Sequence, residues 1–259
     1  MDHPTRALYD ELAENYHLMF QDWAQSILRQ ADVLGSLIER EIPTGGLRIL
    51  DCACGIGTQS LGLAMRGHTV VGVDLSEAAI SRARREALQR GLSIQFAVAD
   101  MRHLTDLPEA EFDLVIAADN ALPHLLNEPD LALAAHRIAG KLRPGGLLLA
   151  TIRDYDQIVE KHPPMPPPAF FQDGPHRRIS HQVWDWTGDR QYTLHLYITQ
   201  ETSAGWTCRH FVALYRAVLR AELTAILQQA GFVDVRWLMP AESGFYQPLV
   251  LARYHGGSS

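Results

Sequence analysis

The stretch "ILDCACGIGTQS" (49–60) sets one aspartate, two cysteines and two glycines at the end of an apolar run. Cys52 and Cys54 form C-x-C, which supplies two thiolates and no matching Cys/His cluster nearby, so small buried packing residues explain them better than a metal site. Gly55 and Gly57 are followed by Ser60, so the third glycine of the dinucleotide-binding G-x-G-x-x-G loop is absent. Asp51 stands before the loop, where a carboxylate would repel a pyrophosphate. A cationic nucleoside is the better guest, and a sulfonium with an ammonium fits that description.

Further acids sit at the ends of later apolar runs. Asp74 closes "TVVGVD", where a carboxylate can accept from two ribose hydroxyls. Asp100 closes "IQFAVAD", and "FDLVIAADN" ends in Asp119 and Asn120. Arg153 follows "LLLATI", where a guanidinium fork can grip a carboxylate or pair with Asp154 or Asp156. His124, His181 and His210 are candidate bases.

These residues need a scaffold of strand ends. Short apolar strands at 47–53, 69–74, 94–100, 112–119 and 147–153 alternate with helical segments, among them 76–91 (N-cap Ser76, stop Gly91) and 128–142, with "LRPGG" as a turn. That alternation predicts a doubly wound parallel sheet in an α/β fold. Apolar positions at helical spacing over 7–41 predict two or three helices before the first strand, free to act as a lid. "HPPMPPPAFF" (162–171) reads as an irregular connector, and the following residues as a three-stranded antiparallel meander. A helix over 215–230 and two strands complete the chain. The expected division is a lid over 1–45, a cofactor core over 46–160, a β insertion over 161–214 and a return to the core over 215–254.

The 259 residues suit one domain, and a net charge of −7 disfavours a nucleic-acid backbone as partner. Three cysteines without framework spacing, and no leader or long apolar span, point to a cytoplasmic protein with no membrane partner and a small-molecule substrate. A homo-oligomer is compatible with this composition.

"ILDCACGIGTQS" resembles motif I of the class I S-adenosylmethionine-dependent methyltransferases, D-x-x-x-G-x-G-T. The strand ends at Asp74 and Asp100, "FDLVIAADN" and "LRPGGLLL" agree in order. Within that superfamily, "YDELAENYHLMFQDW", "DNALPHL" (119–125), "IRDYD" (152–156) and "GFYQPLVLAR" are similar to the glycine and glycine/sarcosine N-methyltransferases. The resemblance implies a Rossmann-like seven-stranded sheet, mostly parallel with the last strand antiparallel. It implies S-adenosylmethionine as cofactor, no metal, and a small amine as acceptor.

The cofactor residues it implies begin with Asp51, Ala53, Gly55, Gly57 and Thr58 in the loop. Asp74 and Leu75 would meet the ribose, while Asp100 would accept from the adenine amino group and the Met101 amide would meet the ring. Ala118 and Asp119 would complete the wall, Arg29 would hold the cofactor carboxylate, and Tyr16 would belong to the lid. On the substrate side, Asn120 and Arg153 would hold a carboxylate, Tyr16 or Tyr246 would orient the nucleophile, and His124 is the candidate base. The aromatic-rich insertion exceeds what a glycine-sized pocket needs, so C-methylation of an aromatic or indole-type acceptor stays open. A metal-dependent O-methyltransferase using Asp119, Asn120, Asp154 and Asp156 is the other alternative. Trp184 and Trp186, two apart, share one face and read as sheet core or an oligomer contact.

Overall fold

A computed structural model describes residues 4–105, 107 and 111–256. The extreme ends, including most of the terminal "GGSS", lie outside the described residues.

Five apolar runs pair in parallel as β1 (Arg48–Asp51), β2 (Thr69–Asp74), β3 (Gln95–Val98), β4 (Phe112–Ala117) and β5 (Leu142–Thr151). With β10 (Phe232–Leu238) and β11 (Leu249–Tyr254) they form a seven-stranded sheet, ordered β10-β11-β5-β4-β1-β2-β3. β11 is antiparallel to both neighbours. Order reverses beside β1, and the carboxyl ends of β1, β4 and β5 open there on one edge, where doubly wound sheets bind ligands. Leu50, Val115 and Leu148 on one face and Ile49, Leu114 and Leu149 on the other are buried, which is why these strands read as continuous apolar runs.

"LRPGG" is not a free turn. β5 begins at Leu142, opposite Phe112, and the register jumps so that Leu147 faces Leu114, leaving a bulge over 143–146 that is exposed at Arg143, Pro144 and Gly145.

The N-terminal part forms α1 (Pro4–Leu12), one 3-10 turn (Tyr16–Met19) and α2 (Trp23–Glu41). α2 starts where the Asp22 side chain accepts from the Gln25 amide, and its buried stripe packs closely on α3 (Thr58–Met65): a methyl at Gly62 would come within 2.7 Å of Ala31 Cβ. Ser76 caps α4 (Glu77–Gln89) by accepting from the Ala79 amide. α5 (Glu128–Lys141) joins β4 to β5, and a short α6 (Tyr155–Lys161), legible only as "IRDYD" in the sequence, follows β5.

The insertion is a four-stranded antiparallel sheet, β6 (Ala169–Asp173), β7 (His176–Trp186), β8 (Gln191–Thr202) and β9 (Gly205–Arg216). The expectation of three strands missed β6. Its prolines end at Pro168, and Ala169 to Asp173 then pair along the edge of β7, where a proline-led segment is tolerated. β9 runs through Tyr215, so the helix expected from 215 begins later, as α7 (Arg220–Gln229). Trp184 is buried and stacks on Tyr192 at 4.8 Å, with Trp186 also 4.8 Å from that ring. The two tryptophans are sheet core.

Candidate functional site: two cavities that share a wall

The loop after β1 is built around Gly57, which caps α3 with φ +96°, a left-handed conformation that disfavours any side chain. Gly57 is structural and lines neither of the two cavities. Gly55 lines one, at φ +52°, and a Cβ there would meet no protein atom within 4 Å, so the bare backbone faces open space. Around it a first cavity is lined by Ala53, Thr58, Asp74, Leu75, Met101 and Ala118, with Cys52, Cys54 and Gln59. Burial pushes both thiols up, so they are neutral packing groups.

Asp74 joins two loops: Oδ2 accepts from the Gly55 amide at 2.8 Å and Oδ1 from the Ser76 amide at 2.9 Å. The carboxylate keeps acceptor capacity for a ligand. Burial raises its pKa against the bonds from the Ser76, Gly55 and Leu75 amides. Asp51 lies behind the loop, fully buried and outside the cavity lining. Its Oδ2 accepts from the Ser60 hydroxyl at 2.6 Å, while Oδ1 has no well-formed hydrogen bond among the described residues. Burial pushes Asp51 up to about 7, opposed by Ser60 and the Ala53 amide and reinforced by the charges of Asp74 and Asp119. A bare glycine facing open space, Asp74 in the lining and the buried Asp51 behind it suit a cationic nucleoside such as S-adenosylmethionine.

Asp100 also lines this cavity, but its carboxylate is taken. Arg102 Nε reaches both oxygens at 3.0 and 3.1 Å, Nη2 donates to Oδ2 at 2.6 Å, and the Arg102 amide donates to Oδ1 at 2.9 Å. The Arg102 pairing holds the Asp100 carboxyl below its usual range despite the opposing cost of burial. Four contacts from three N–H groups fill its acceptor directions, so acceptance from an adenine amino group requires this pair to open. Nothing in the spacing announced Arg102, which also reaches Asp130 at 2.8 Å.

A second cavity of about 1170 Å³ lies between the sheet edge, the N-terminal segment and the inner face of the insertion. Arg153 and Asn120 line it. The Arg153 guanidinium donates to Tyr192 Oη at 2.7 Å, approaches Gln182 Oε1 at 3.4 Å, and lies over the rings of Trp184 and Tyr215 at 4.9 and 5.1 Å. These partners are all neutral. The alternative of an ion pair with Asp154 or Asp156 is not realised, because both acids go to Arg220. The Asn120 side chain accepts from the Arg153 amide at 3.0 Å and donates to Tyr155 Oη at 3.0 Å, and Tyr155 in turn bonds Tyr192 at 2.9 Å.

Asp119 and Asn120 both adopt left-handed backbone, φ +56° and +67°. Thr151 holds them, its hydroxyl accepting from the Asp119 amide and its carbonyl from the Asn120 amide. Asp and Asn tolerate this conformation better than other side-chain-bearing residues. The consequence is that Asp119 faces both cavities, as do Tyr9 and Tyr16. Tyr246, at the mouth of the second cavity, donates to Asp119 Oδ1, and Gln59 Nε2 donates to Oδ2 at 2.8 Å.

Tyr9 was missed by the sequence reading, although it sits on the apolar stripe of α1 with Leu8 and Leu12. Its hydroxyl meets His124 Nε2 at 2.9 Å, and His124 packs 4.2 Å from the Tyr215 ring, inside the wall of the first cavity. Arg29 is exposed and lines the second cavity, on the far side of the shared wall from Asp74. His181 stacks on Tyr197, and His210 on both Tyr197 and His195, in the insertion. Among the described residues no group of three His, Cys, Asp or Glu side chains is arranged to hold a metal ion, and no helix is long and apolar enough to cross a membrane.

The chain is similar to known proteins in sequence and in fold. Residues 49–146 match the family described as "Methyltransferase domain". Glycine/sarcosine N-methyltransferase from Parasynechococcus marenigrum is 29% identical over 159 residues, 61% of this chain and 55% of the relative. Ubiquinone biosynthesis O-methyltransferase from Alkalilimnicola ehrlichii is 39% identical over 101 residues, 39% of each chain. The matched stretch therefore spans little more than half the length of these curated relatives, or less. The S-adenosylmethionine-bound CalS10, an amino pentose methyltransferase from Micromonospora echinaspora, shares the fold with a TM-score of 0.73 at 21% identity, over 93% of this chain and 95% of that one.

Proposed function

We propose that this chain, whose residues 49–146 form a domain of the methyltransferase family, methylates the nitrogen of a small amine that also carries a carboxylate. Bound in the first cavity, S-adenosylmethionine supplies an electrophilic methyl group whose sulfonium leaves as a neutral thioether. Asp74 would accept from its ribose, the Gly55 and Thr58 backbone would border it, and Asp51 would favour its positive charge.

The acceptor side is carried by one observation: Arg153, a permanent cation in the wall of the second cavity, has only neutral partners around its guanidinium. A charge held this way lacks a counter-ion, and a ligand carboxylate provides one. Tyr9, Tyr16 and Asp119 form the wall through which the two cavities meet, so alignment across it does most of the work and the lid excludes water. The cavity volume exceeds the roughly 300–1,000 Å³ typical of sites for drug-sized ligands, so acceptors bulkier than glycine fit.

The test is a panel of glycine, sarcosine, L-phenylalanine, tryptamine, glucosamine and a catechol, with S-adenosylhomocysteine formation as readout. The expected substrates are amines with a carboxylate. Turnover of the catechol alone would replace this reading with O-methylation.

A further inference from the structure

We propose that Asp119, held by Tyr246 and Gln59 in the wall between the cavities, docks the ammonium form of the acceptor and takes its proton, selecting amines over hydroxyls. The inference rests on the methyl-transfer reading above and adds a residue role to it.

The geometry is specific. Among the described residues Asp119 is the acid that borders both cavities, so a group bound to it is within reach of whatever the first cavity holds. Its two recorded donors are neutral, the Tyr246 hydroxyl on Oδ1 and the Gln59 amide on Oδ2, and one acceptor direction remains on each oxygen. The left-handed turn at Asp119 and Asn120, fixed by Thr151, points two consecutive side chains to different partners: Asn120 to the Arg153 amide and Asp119 to the shared wall. An acceptor bearing both charges would then lie with its carboxylate at Arg153 and its nitrogen at Asp119, on neighbouring strand ends. The titratable groups facing Asp119 are Tyr246, Tyr16 and, behind the loop, Asp51; Arg153 acts on both tyrosines. Burial raises the Asp119 pKa, which brings it closer to the range useful for a proton acceptor.

The step balances simply. The ammonium N–H bond breaks, its electron pair stays on nitrogen, and the proton forms an O–H bond on Asp119. The freed pair then forms the N–C bond to the methyl carbon as the C–S bond breaks toward sulfur. A hydroxyl acceptor brings no positive charge for Asp119 to dock.

The experiment compares Asp119→Asn and Tyr246→Phe with the wild-type enzyme, using the fastest amine of the panel above. For wild type, kcat/KM is expected to be flat between the Asp119 pKa and that of the free amine. For Asp119→Asn it is expected to be about 100-fold lower at pH 7.5 and to climb tenfold per pH unit, because only free amine from solution is productive. Binding of the same amine to the S-adenosylhomocysteine complex should weaken at least tenfold, and by more than any loss of S-adenosylmethionine affinity measured by calorimetry. Tyr246→Phe should shift the wild-type profile by a few-fold only. A profile for Asp119→Asn parallel to wild type, or a loss confined to S-adenosylmethionine affinity, would overturn the proposal while leaving methyl transfer intact. A wild-type enzyme that converts no member of the panel removes the reading beneath it.

Discussion

The Arg153 guanidinium and the Tyr192 hydroxyl meet at 2.7 Å, joining the end of a core strand to the inserted sheet. Tyr192 is fully buried, and its hydroxyl also bonds Tyr155, so the bond fixes the guanidinium without neutralising it. Replacing Arg153 by Ala should raise KM for a carboxylate acceptor roughly 10- to 100-fold, the cost of about 1.5–3 kcal/mol for a charged hydrogen bond. Arg153→Lys should recover little, because an ammonium cannot present the same fork. Tyr192→Phe should cost a few-fold. S-adenosylmethionine affinity, measured by calorimetry, should be unchanged in all three.

Asp74 has two duties, and a substitution should separate them. Asp74→Ala is expected to weaken S-adenosylmethionine binding by about 1–3 kcal/mol through lost charge-assisted bonds. It should also destabilise the ligand-free protein, because the Gly55 and Ser76 amides lose their acceptor. Asp74→Asn keeps one acceptor oxygen, so its stability loss should be smaller while its affinity loss stays close to that of Ala. Urea unfolding and calorimetry on the same samples decide it.

Much of this site was legible. β4 is a core run apart from Asp113, the Asp51-to-Thr58 loop carries its own turn chemistry, and "DN" at 119–120 suits the left-handed backbone found there. The Arg102–Asp100 pairing is local, two residues apart, and was passed over because the spacing carries no motif. What else was not legible depends on distance in the chain. Arg82 reaches the Ala13 carbonyl at 2.8 Å, and Arg178 the carbonyls of Leu18 and Phe20, across 69 residues in one case and some 160 in the other. Local periodicity carries no trace of such contacts. β6 was hidden for the opposite reason: the prolines beside it dominated the local signal.

The N-terminal helix is fastened over the first cavity by Asp10, which accepts from the Ser76 hydroxyl at 2.6 Å and the Ala78 amide at 3.2 Å, at the start of α4. Asp10→Ala should loosen α1 without unfolding the core, since Ser76 still caps α4 through Ala79. Faster amide exchange over residues 5–20 and a several-fold higher KM for S-adenosylmethionine are the expected signs. Unchanged exchange would mean that the apolar contacts of Leu8 and Leu12 hold the helix alone.

Asp51 gives a pH dependence with a definite sign. In the folded chain it holds its proton to about pH 7, against 3.8 for the ordinary group. Between those values the folded state binds more protons than the unfolded one, so stability falls as pH rises from about 4 to 7 and is level above. The contribution is about 4 kcal/mol in the ligand-free protein at the 1.36 kcal/mol of each pKa unit. Asp51→Asn should remove that slope from a pH series of urea unfolding. A slope equal to wild type would show that the carboxylate is ionised throughout.

The central claim is that an acceptor carboxylate seated at Arg153 brings its amine to the wall shared with the S-adenosylmethionine cavity. It is tested most directly by methyl transfer from labelled S-adenosylmethionine to paired amines that differ only in the carboxylate, such as L-phenylalanine and phenethylamine, in wild type and Arg153→Ala. The account predicts that wild type prefers the carboxylate-bearing member and that Arg153→Ala erases the preference. Equal rates on both members in wild type, or a preference that survives the substitution, would contradict it.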